Sequence, residues 1–417
     1  MRGRRRCDAP LATMRGRSKS VARKRTDGDD GKARASREGE RQQDAATSTS
    51  PPSQRSLRPE AGVAIPRELL APVELCAVDG RLSSLARGYS KKPYVRAELT
   101  AALGRRKRWN FVFISHPDVL VALALSSADY AGLAFLWLYD LKAERFADFE
   151  QMAPLARGIS LGATLDDEAE FRHKRIHAKW QRRGSDIEVT ATIPDLGGSP
   201  VSLQLRFPLS ADDEHLYLVV PWSDTVFNYT AKLAAIPAQG ELSVGSQRYV
   251  FSPEDTTASV DFTRGVWPYR IAWHWACGSG LVPDRRPGAG GGETPALRRI
   301  GLNFGAGWTD GTGVLENALY VDGRVYPLWE PIAFTFDTAN LRAPWRLRTP
   351  KSDRVDLTFT PVHSRRQDTN FFIIRMMLDQ VMGHFSGRIA IDRADGEREV
   401  IELDGLPGIA EDHFARW

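Results

Sequence analysis

The segment Val201-Ser-Leu-Gln-Leu-Arg-Phe207 alternates apolar and polar residues with a period of two. That spacing puts one face of an extended chain in a core and the other towards water. Similar short runs recur along most of the chain, among them Trp109-Asn-Phe-Val-Phe-Ile114, His215 to Trp222 and Val355-Asp-Leu-Thr-Phe-Thr360. Turn residues separate them, such as Asp79-Gly80, Pro194-Asp-Leu-Gly-Gly198, Gly245-Ser246, Asp322-Gly323 and Asp395-Gly396. Strands closed off by turns roughly every eight to twelve residues, with almost no sustained 3.6-residue period, predict an all-β antiparallel sandwich or barrel. The chain has no fixed internal repeat, which argues against a propeller.

At 417 residues there is room for two such domains. The pattern restarts near Ile236-Pro-Ala-Gln-Gly240, so the expected division is a tail over 1–66, a first β domain over 67–238 and a second over 239–417. Residues 278–294, rich in Gly, Pro and Arg, read as a flexible surface insertion in the second. The end of the chain, Pro407 to Trp417, reads as one or two helical turns.

Charge is concentrated in the tail. Met1 to Glu60 holds 16 Lys and Arg against 8 Asp and Glu, a surplus of +8 in a chain whose net charge is +5. The body is therefore slightly acidic, and no specific nucleic-acid binding is expected of it. The tail is too polar to bury a core and reads as disordered. Cys7, Cys76 and Cys277 show no paired spacing, which fits a reducing compartment. No apolar signal segment follows the basic start, and no run is long enough to span a membrane as a helix. The expectation is a soluble cytoplasmic protein. Oligomeric state is not readable.

Chemistry-bearing residues gather between Ser259 and Asn317. Asp261 and Arg264, three apart on a strand, point to opposite faces unless Gly265 makes a bulge. Arg264 and Arg270 suit a carboxylate or phosphate, or pair with Asp261 or Asp310 instead. Trp267 with Tyr269, and Trp273 with Trp275, are two residues apart, so each pair shares a face. With Asn303, Trp308 and Asn317 these make the candidate ligand-binding set. Asp310 and Glu316 are the candidate proton donors, because two carboxyls facing one cavity split their acidities. His274 is a further acid/base candidate.

Other signals point away from familiar chemistry. Gly305-Ala-Gly-Trp-Thr-Asp-Gly-Thr-Gly313 is neither a Walker loop nor set in a βαβ unit. His173 and His177, read as one strand, lie about 13 Å apart at 3.3 Å per residue, too far to share a metal. Neither a cofactor nor a metal is expected. Arg105-Arg-Lys-Arg108 looks like a phosphate site, but at a strand entrance such a run is more often a solvated edge.

Several of these segments together resemble a known family. Glu74-Leu-Cys, Lys107-Arg-Trp-Asn, Asp129-Tyr-Ala-Gly, Phe171-Arg-His-Lys, Pro221-Trp-Ser, Arg264-Gly-Val-Trp-Pro-Tyr-Arg, Gly307-Trp-Thr-Asp-Gly-Thr-Gly, Glu316-Asn317, Val355-Asp-Leu-Thr-Phe and His413-Phe-Ala-Arg-Trp resemble the bacterial family catalogued as domain of unknown function 2804. The resemblance runs from about Leu75 to Trp417 and implies no activity. More distantly, the chain is similar to tandem lipocalin-like proteins, including carotenoid hydratases of the hydroxyneurosporene synthase type. That likeness implies two calycin-like barrels side by side. Their Asp-His-x-Trp-Gly motif reads here Asp261-Phe-Thr-Arg-Gly265, with Phe262 and Arg264 in place of the His and Trp. The departure removes the residue suited to proton transfer.

The leading expectation is a barrel pocket, lined by aromatic residues, for a hydrophobic lipid- or isoprenoid-like molecule with one polar or anionic group. Whether the chain transforms that molecule stays open. So do a non-catalytic structural or interaction role and a carbohydrate-binding or carbohydrate-processing sandwich. A closed cavity favours the lipid, an open aromatic platform the sugar.

Overall fold

A computed structural model of the chain describes residues 65–286, 296–371 and 374–416. The expectations for the basic tail, including Cys7, fall outside these residues up to position 64. Strands dominate, and the only helical piece among the described residues is a 3-10 turn at Ser84–Ala86. The all-β antiparallel class holds, apart from a small parallel pairing of Val73–Glu74 with Val95–Arg96. Among the described residues no helix is long and apolar enough to cross a membrane.

An eight-stranded sheet lies at the centre. Strands β1 (Arg106–Ser115), β2 (Val119–Ser127), β3 (Ala131–Asp140) and β4 (Arg145–Pro154) form a meander. Strands β5 (Leu216–Pro221), β6 (Phe227–Pro237) and β7 (Thr257–Val266) extend it, β7 pairing with both β6 and β1. A seven-stranded sheet, from Ile159–Leu161 at one edge to Gln247–Phe251 at the other, covers one face. Val112, Ile114, Val121 and Leu123 meet Trp180, Leu203 and Phe207 there in one core.

The other face of the central sheet is buried as well. Phe111, Phe113, Phe135 and Trp137 pack against Trp275, Cys277, Met382 and Ile409. These partners belong to a nine-stranded sheet whose middle is β8 (Arg270–Pro283), β9 (Leu297–Ala306), β10 (Val355–Phe371), β11 (Ile374–Asp392) and β12 (Arg398–Arg416). Residues from both flanks of this sheet, Val321 and Trp345 among them, share a single core. The sheet therefore curls round its own interior. Burial on both faces explains why Val119–Leu125 and Ala131–Tyr139 read as unbroken apolar runs rather than alternations.

Three expectations change. The restart at residue 239 does not open the nine-stranded sheet: the chain crosses there from the central sheet to the seven-stranded one, where Gln239–Val244 pairs with Ser199–Pro208, and β7 then returns to pair with β6 and β1. The chain passes to the nine-stranded sheet only between Val266 and Arg270. Next, Gly278–Pro283 is not insertion but the second half of β8, paired to β9; residues 287–295 fall outside the described ones. Finally, the helical tail is a strand. β12 runs to Arg416 and is hydrogen-bonded to β8 on one side and β11 on the other. Ile409, Glu411 and His413 alternate as a strand does. The histidines 173 and 177 also differ from expectation, lying on the two arms of a hairpin in which Ile176 pairs with His173.

Long strands tolerate their irregular residues at bulges. Pro361 sits inside β10 where the register against β11 shifts, the position at which a missing N–H costs least. Gly387 in β11 has φ +125, and a Cβ there would lie 2.3 Å from the Asp356 carbonyl oxygen.

Candidate functional site

Where the central and nine-stranded sheets face each other they do not close completely. A cavity of about 450 Å³ remains between them. Its two walls follow from register. On the central sheet, Asp261, Phe111, Ala124 and Phe135 are successive cross-strand partners and form an inner rung. Thr263, Trp109, Ser126, Leu133 and Met152 form the next rung. Lys107, Ala131 and Pro154 lie two residues further out on their strands.

The facing wall repeats the steps. Trp275, Glu411 and Gln380 are partners across β8, β12 and β11, followed by Trp273, His413 and Leu378, then Met376 and Thr369. At about 3.3 Å per residue, inner and outer rungs are roughly 13 Å apart. Inner-rung residues are all buried, whereas Met152 and Pro154 are exposed. The cavity is a slot with a closed polar floor and an open mouth.

Lys232 on β6 anchors the floor. Its ammonium lies 2.9 Å from Asp261 Oδ1 and 2.9 Å from Glu316 Oε2. Burial acts against that charge, but the two carboxylates outweigh it and hold the ammonium above its ordinary range. Glu316 is raised by burial, with Lys232 opposing. Trp308 Nε1 donates to its other oxygen at 2.5 Å. Gly305 makes the space: a Cβ there would fall 1.8 Å from Glu316 Oε1. Thr230 Oγ1 adds a 3.3 Å hydrogen bond to Asp261.

Glu411 occupies the opposite wall of the floor. It accepts from Gln380 Nε2 at 2.6 Å, and Gln380 Oε1 accepts from Trp137 Nε1 at 2.5 Å. Burial pushes Glu411 up to about 7; hydrogen bonds from Gln380 and Trp273 only partly oppose it, and the charge of Asp261 adds to it. None of the ion pairs among the described residues involves Glu411. His413 stacks on Trp273 with ring centroids 3.8 Å apart and planes 11° off parallel. Burial drives it down to about 3, so it is neutral near pH 7.

Tryptophans close one side of the slot. Trp267 lies parallel to Trp308 at 5.4 Å and packs against Trp109, Trp222 and Trp273 at 5.2–5.6 Å. At the mouth stands the basic stretch expected to be a solvated edge. Arg106 and Arg108 share Asp129 at 3.0 and 2.9 Å. Lys107 is buried, its ammonium 5.1 Å from the Tyr130 ring centroid. Burial lowers it to about 8, with Asp129 opposing and Arg105 contributing.

Of the residues expected at the site, Asp261, Trp267, Trp273, Trp275, Trp308 and Glu316 line the slot. Asn303 and Asn317 stand behind them. Asn303 accepts from Trp275 Nε1 at 3.0 Å and donates to the Glu316 carbonyl; Asn317 Oδ1 accepts from Gly305 N at 2.7 Å. Five do not line it. Arg264 points to the other face of β7, as the three-residue spacing from Asp261 requires on an unbulged strand. Its guanidinium is spent on the carbonyls of Gly162, Trp109 and Thr263 and on Asn110 Oδ1. Phe262 is on that face too, in the first core. Tyr269 and Arg270 are exposed where the chain changes sheets, and Asp310 is exposed in a turn. His274 faces away from its tryptophan neighbours, against Phe334 and Phe336 and 3.4 Å from Asp412.

The floor and mouth contain residues that the sequence reading passed over: Lys107, Arg108, Lys232, Gln380, Glu411 and His413. Lys232 carried a signal, a lone cation inside the otherwise uncharged run Phe227–Pro237. Glu411 and His413 were hidden by reading the last strand as a helix.

The model of a family described as "Domain of unknown function (DUF2804)" matches residues 66–417. The chain belongs to this family. No curated protein matches it. Two solved structures are similar in part. One is kievitone hydratase from Nectria haematococca, at 9% identity and TM-score 0.35. The other is CghA, at 12% identity and TM-score 0.38. Each alignment covers 74% of this chain and 87% of the other. Likeness at that level carries no argument about the slot of this DUF2804 member.

The floor has two measurable consequences. Lys232→Met leaves two buried carboxylates without their counter-charge and is expected to cost about 3–5 kcal/mol. Asp310→Ala, in an exposed turn, is expected to stay within about 0.5 kcal/mol. Chemical denaturation of the two variants checks the contrast. Glu411, which faces Asp261, Lys232, Glu316 and His413, gives a pH signature. Its acidity is near 4.5 when unfolded and near 7 when folded, so between those values only the folded state keeps the proton. Stability therefore falls as pH rises through that window and levels off above it. Relative to Glu411→Gln, which has no proton to lose, the wild type is expected to lose roughly 3 kcal/mol from pH 4.5 to 7. Denaturation curves of both proteins across the window measure this.

Proposed function

We propose that this protein binds an amphipathic small molecule, lipid- or isoprenoid-like, with its apolar body in the slot and an anionic group at the mouth. The observation that carries the reading is the slot itself, an aromatic-walled space graded from a buried polar floor to a cationic opening. Its volume of about 450 Å³ falls within the range of small-molecule pockets.

Electrostatics orients the ligand. The floor already holds Asp261, Glu316 and Glu411 around a single Lys232, so an anion there would add repulsion in a poorly solvated place. At the mouth Arg105, Arg106, Lys107 and Arg108 outnumber Asp129 and Glu98. An anion beside Lys107 would restore the stabilisation that burial removes from its ammonium. The charge holder in this reading is Lys107, not Arg264; Arg108, the cross-strand partner of Arg264, is paired with Asp129. Glu316, locked between Lys232 and Trp308, serves as structure rather than as a proton donor. The rings face an interior rather than forming an exposed platform, which weighs against a sugar-binding surface.

Calorimetric titration with lauric acid tests the reading. The wild type is expected to bind it, and Lys107→Met to bind roughly tenfold more weakly, as befits the loss of one partly desolvated charge contact. Absence of binding, or equal affinity in the two proteins, would sink the proposal. Equal affinity would leave the slot without its charged mouth; absence of binding would favour a purely structural role.

A further inference from the structure

His413 is buried, at 6% exposure, and lines the inner half of the slot. Neither of its ring nitrogens has a hydrogen-bond partner among the described residues. Buried polar atoms are nearly always paired, and an unpaired one costs about 1–3 kcal/mol. Two on one ring, in a residue that lines a cavity, call for a ligand atom. One strand step away, Glu411 is held by Gln380, and no cation among the described ion pairs neutralises it.

We infer, on the basis of the binding mode proposed above, that the closed end of the slot recognises a neutral oxygen on the ligand, a carbonyl or a hydroxyl, through His413 and Glu411. The ligand class is then an oxygenated amphipathic anion, with charge at the mouth and a neutral oxygen roughly 7–13 Å further in, the span between the His413 rung and the Glu411 rung.

The chemistry of the two groups selects that partner. A neutral imidazole presents one N–H donor and one acceptor nitrogen. A protonated carboxyl presents an O–H donor. Two donors converging on one point suit an oxygen lone pair, and the second imidazole nitrogen suits a hydroxyl hydrogen. Asp261 and Glu316 stand against an anion there. An alkyl terminus would leave both imidazole nitrogens and the carboxyl proton unpaired, which is the desolvation penalty that gives polar sites their selectivity. The stack of His413 on Trp273 fixes the ring plane, and the Gln380–Trp137 relay fixes the carboxyl. Neither depends on a ligand, so the recognition site is pre-shaped.

Matched probes test this on the full chain: lauric acid, ω-hydroxylauric acid and ω-aminolauric acid, titrated by calorimetry. The hydroxy acid is expected to bind roughly tenfold tighter than lauric acid, the worth of one or two buried hydrogen bonds. His413→Phe keeps the aromatic stack and is expected to abolish that preference, read as the ratio of the two affinities within the variant. Glu411→Gln is expected to reduce the preference without removing it. Equal binding of lauric and ω-hydroxylauric acid, or a preference that survives His413→Phe, overturns the inference and leaves the binding mode intact. Tightest binding of the amino acid overturns it in favour of a cation paired with ionised Glu411. If none of the three binds, the binding mode itself fails, and this inference fails with it.

Discussion

The architecture turns on one buried ammonium. Lys232 belongs to the central sheet, and so does Asp261, but Glu316 comes from the loop that follows β9 in the other sheet. One cation thus ties two sheets together at the only end of the slot that is sealed by charge. Such a cluster is costly to desolvate and gains little net stability over an apolar filling. Its value lies in specificity of position, because it can be satisfied in only one alignment of the two sheets. Trp308, Asn303, Asn317 and Gly305 all serve that alignment, each by holding or making room for Glu316 or its neighbours.

From this tie the slot follows. The inner rungs are drawn into contact, as the edge-to-face meeting of Phe111 and Trp275 at 5.8 Å shows. Farther out the walls diverge. The arms of β10 and β11 remain moored by Arg365, buried and bound to Asp148 and Glu150 on β4. Between the tie and the mooring lies apolar surface that neither sheet covers. A space of this shape, with charge arranged oppositely at its ends, sorts ligands by polarity along its length. It does so without any residue moving.

Fold class was legible because period-two alternation and turn residues are local signals. The aromatic half of the site was legible for the same reason: Trp273 and Trp275 share a face by spacing alone, whereas Arg264, expected in the ligand-binding set, lies on the other face of β7 from Asp261. What local pattern could not give was the pairing of surfaces. The division of the chain was misplaced because β7 returns to the first sheet after two strands of the other, a fact of long-range register. The basic run 105–108 looked solvated, since nothing next to it in sequence announces that the Lys107 ammonium packs over the Tyr130 ring. Glu411 and His413 lie on a strand whose partners are more than a hundred residues upstream on one side, so its pairing left no local mark. Glu316 was found, but its counter-ion was not: Lys232 sits on β6, far away along the chain.

The central claim is that one ligand touches both sheets at once. Hydrogen–deuterium exchange with and without ω-hydroxylauric acid addresses it most directly. Protection is expected to rise together in Arg106–Ser115 and in the last half of Arg398–Arg416, with Ser199–Pro208 unchanged. Protection confined to one sheet, or appearing in Ser199–Pro208, would contradict a slot shared between the two walls.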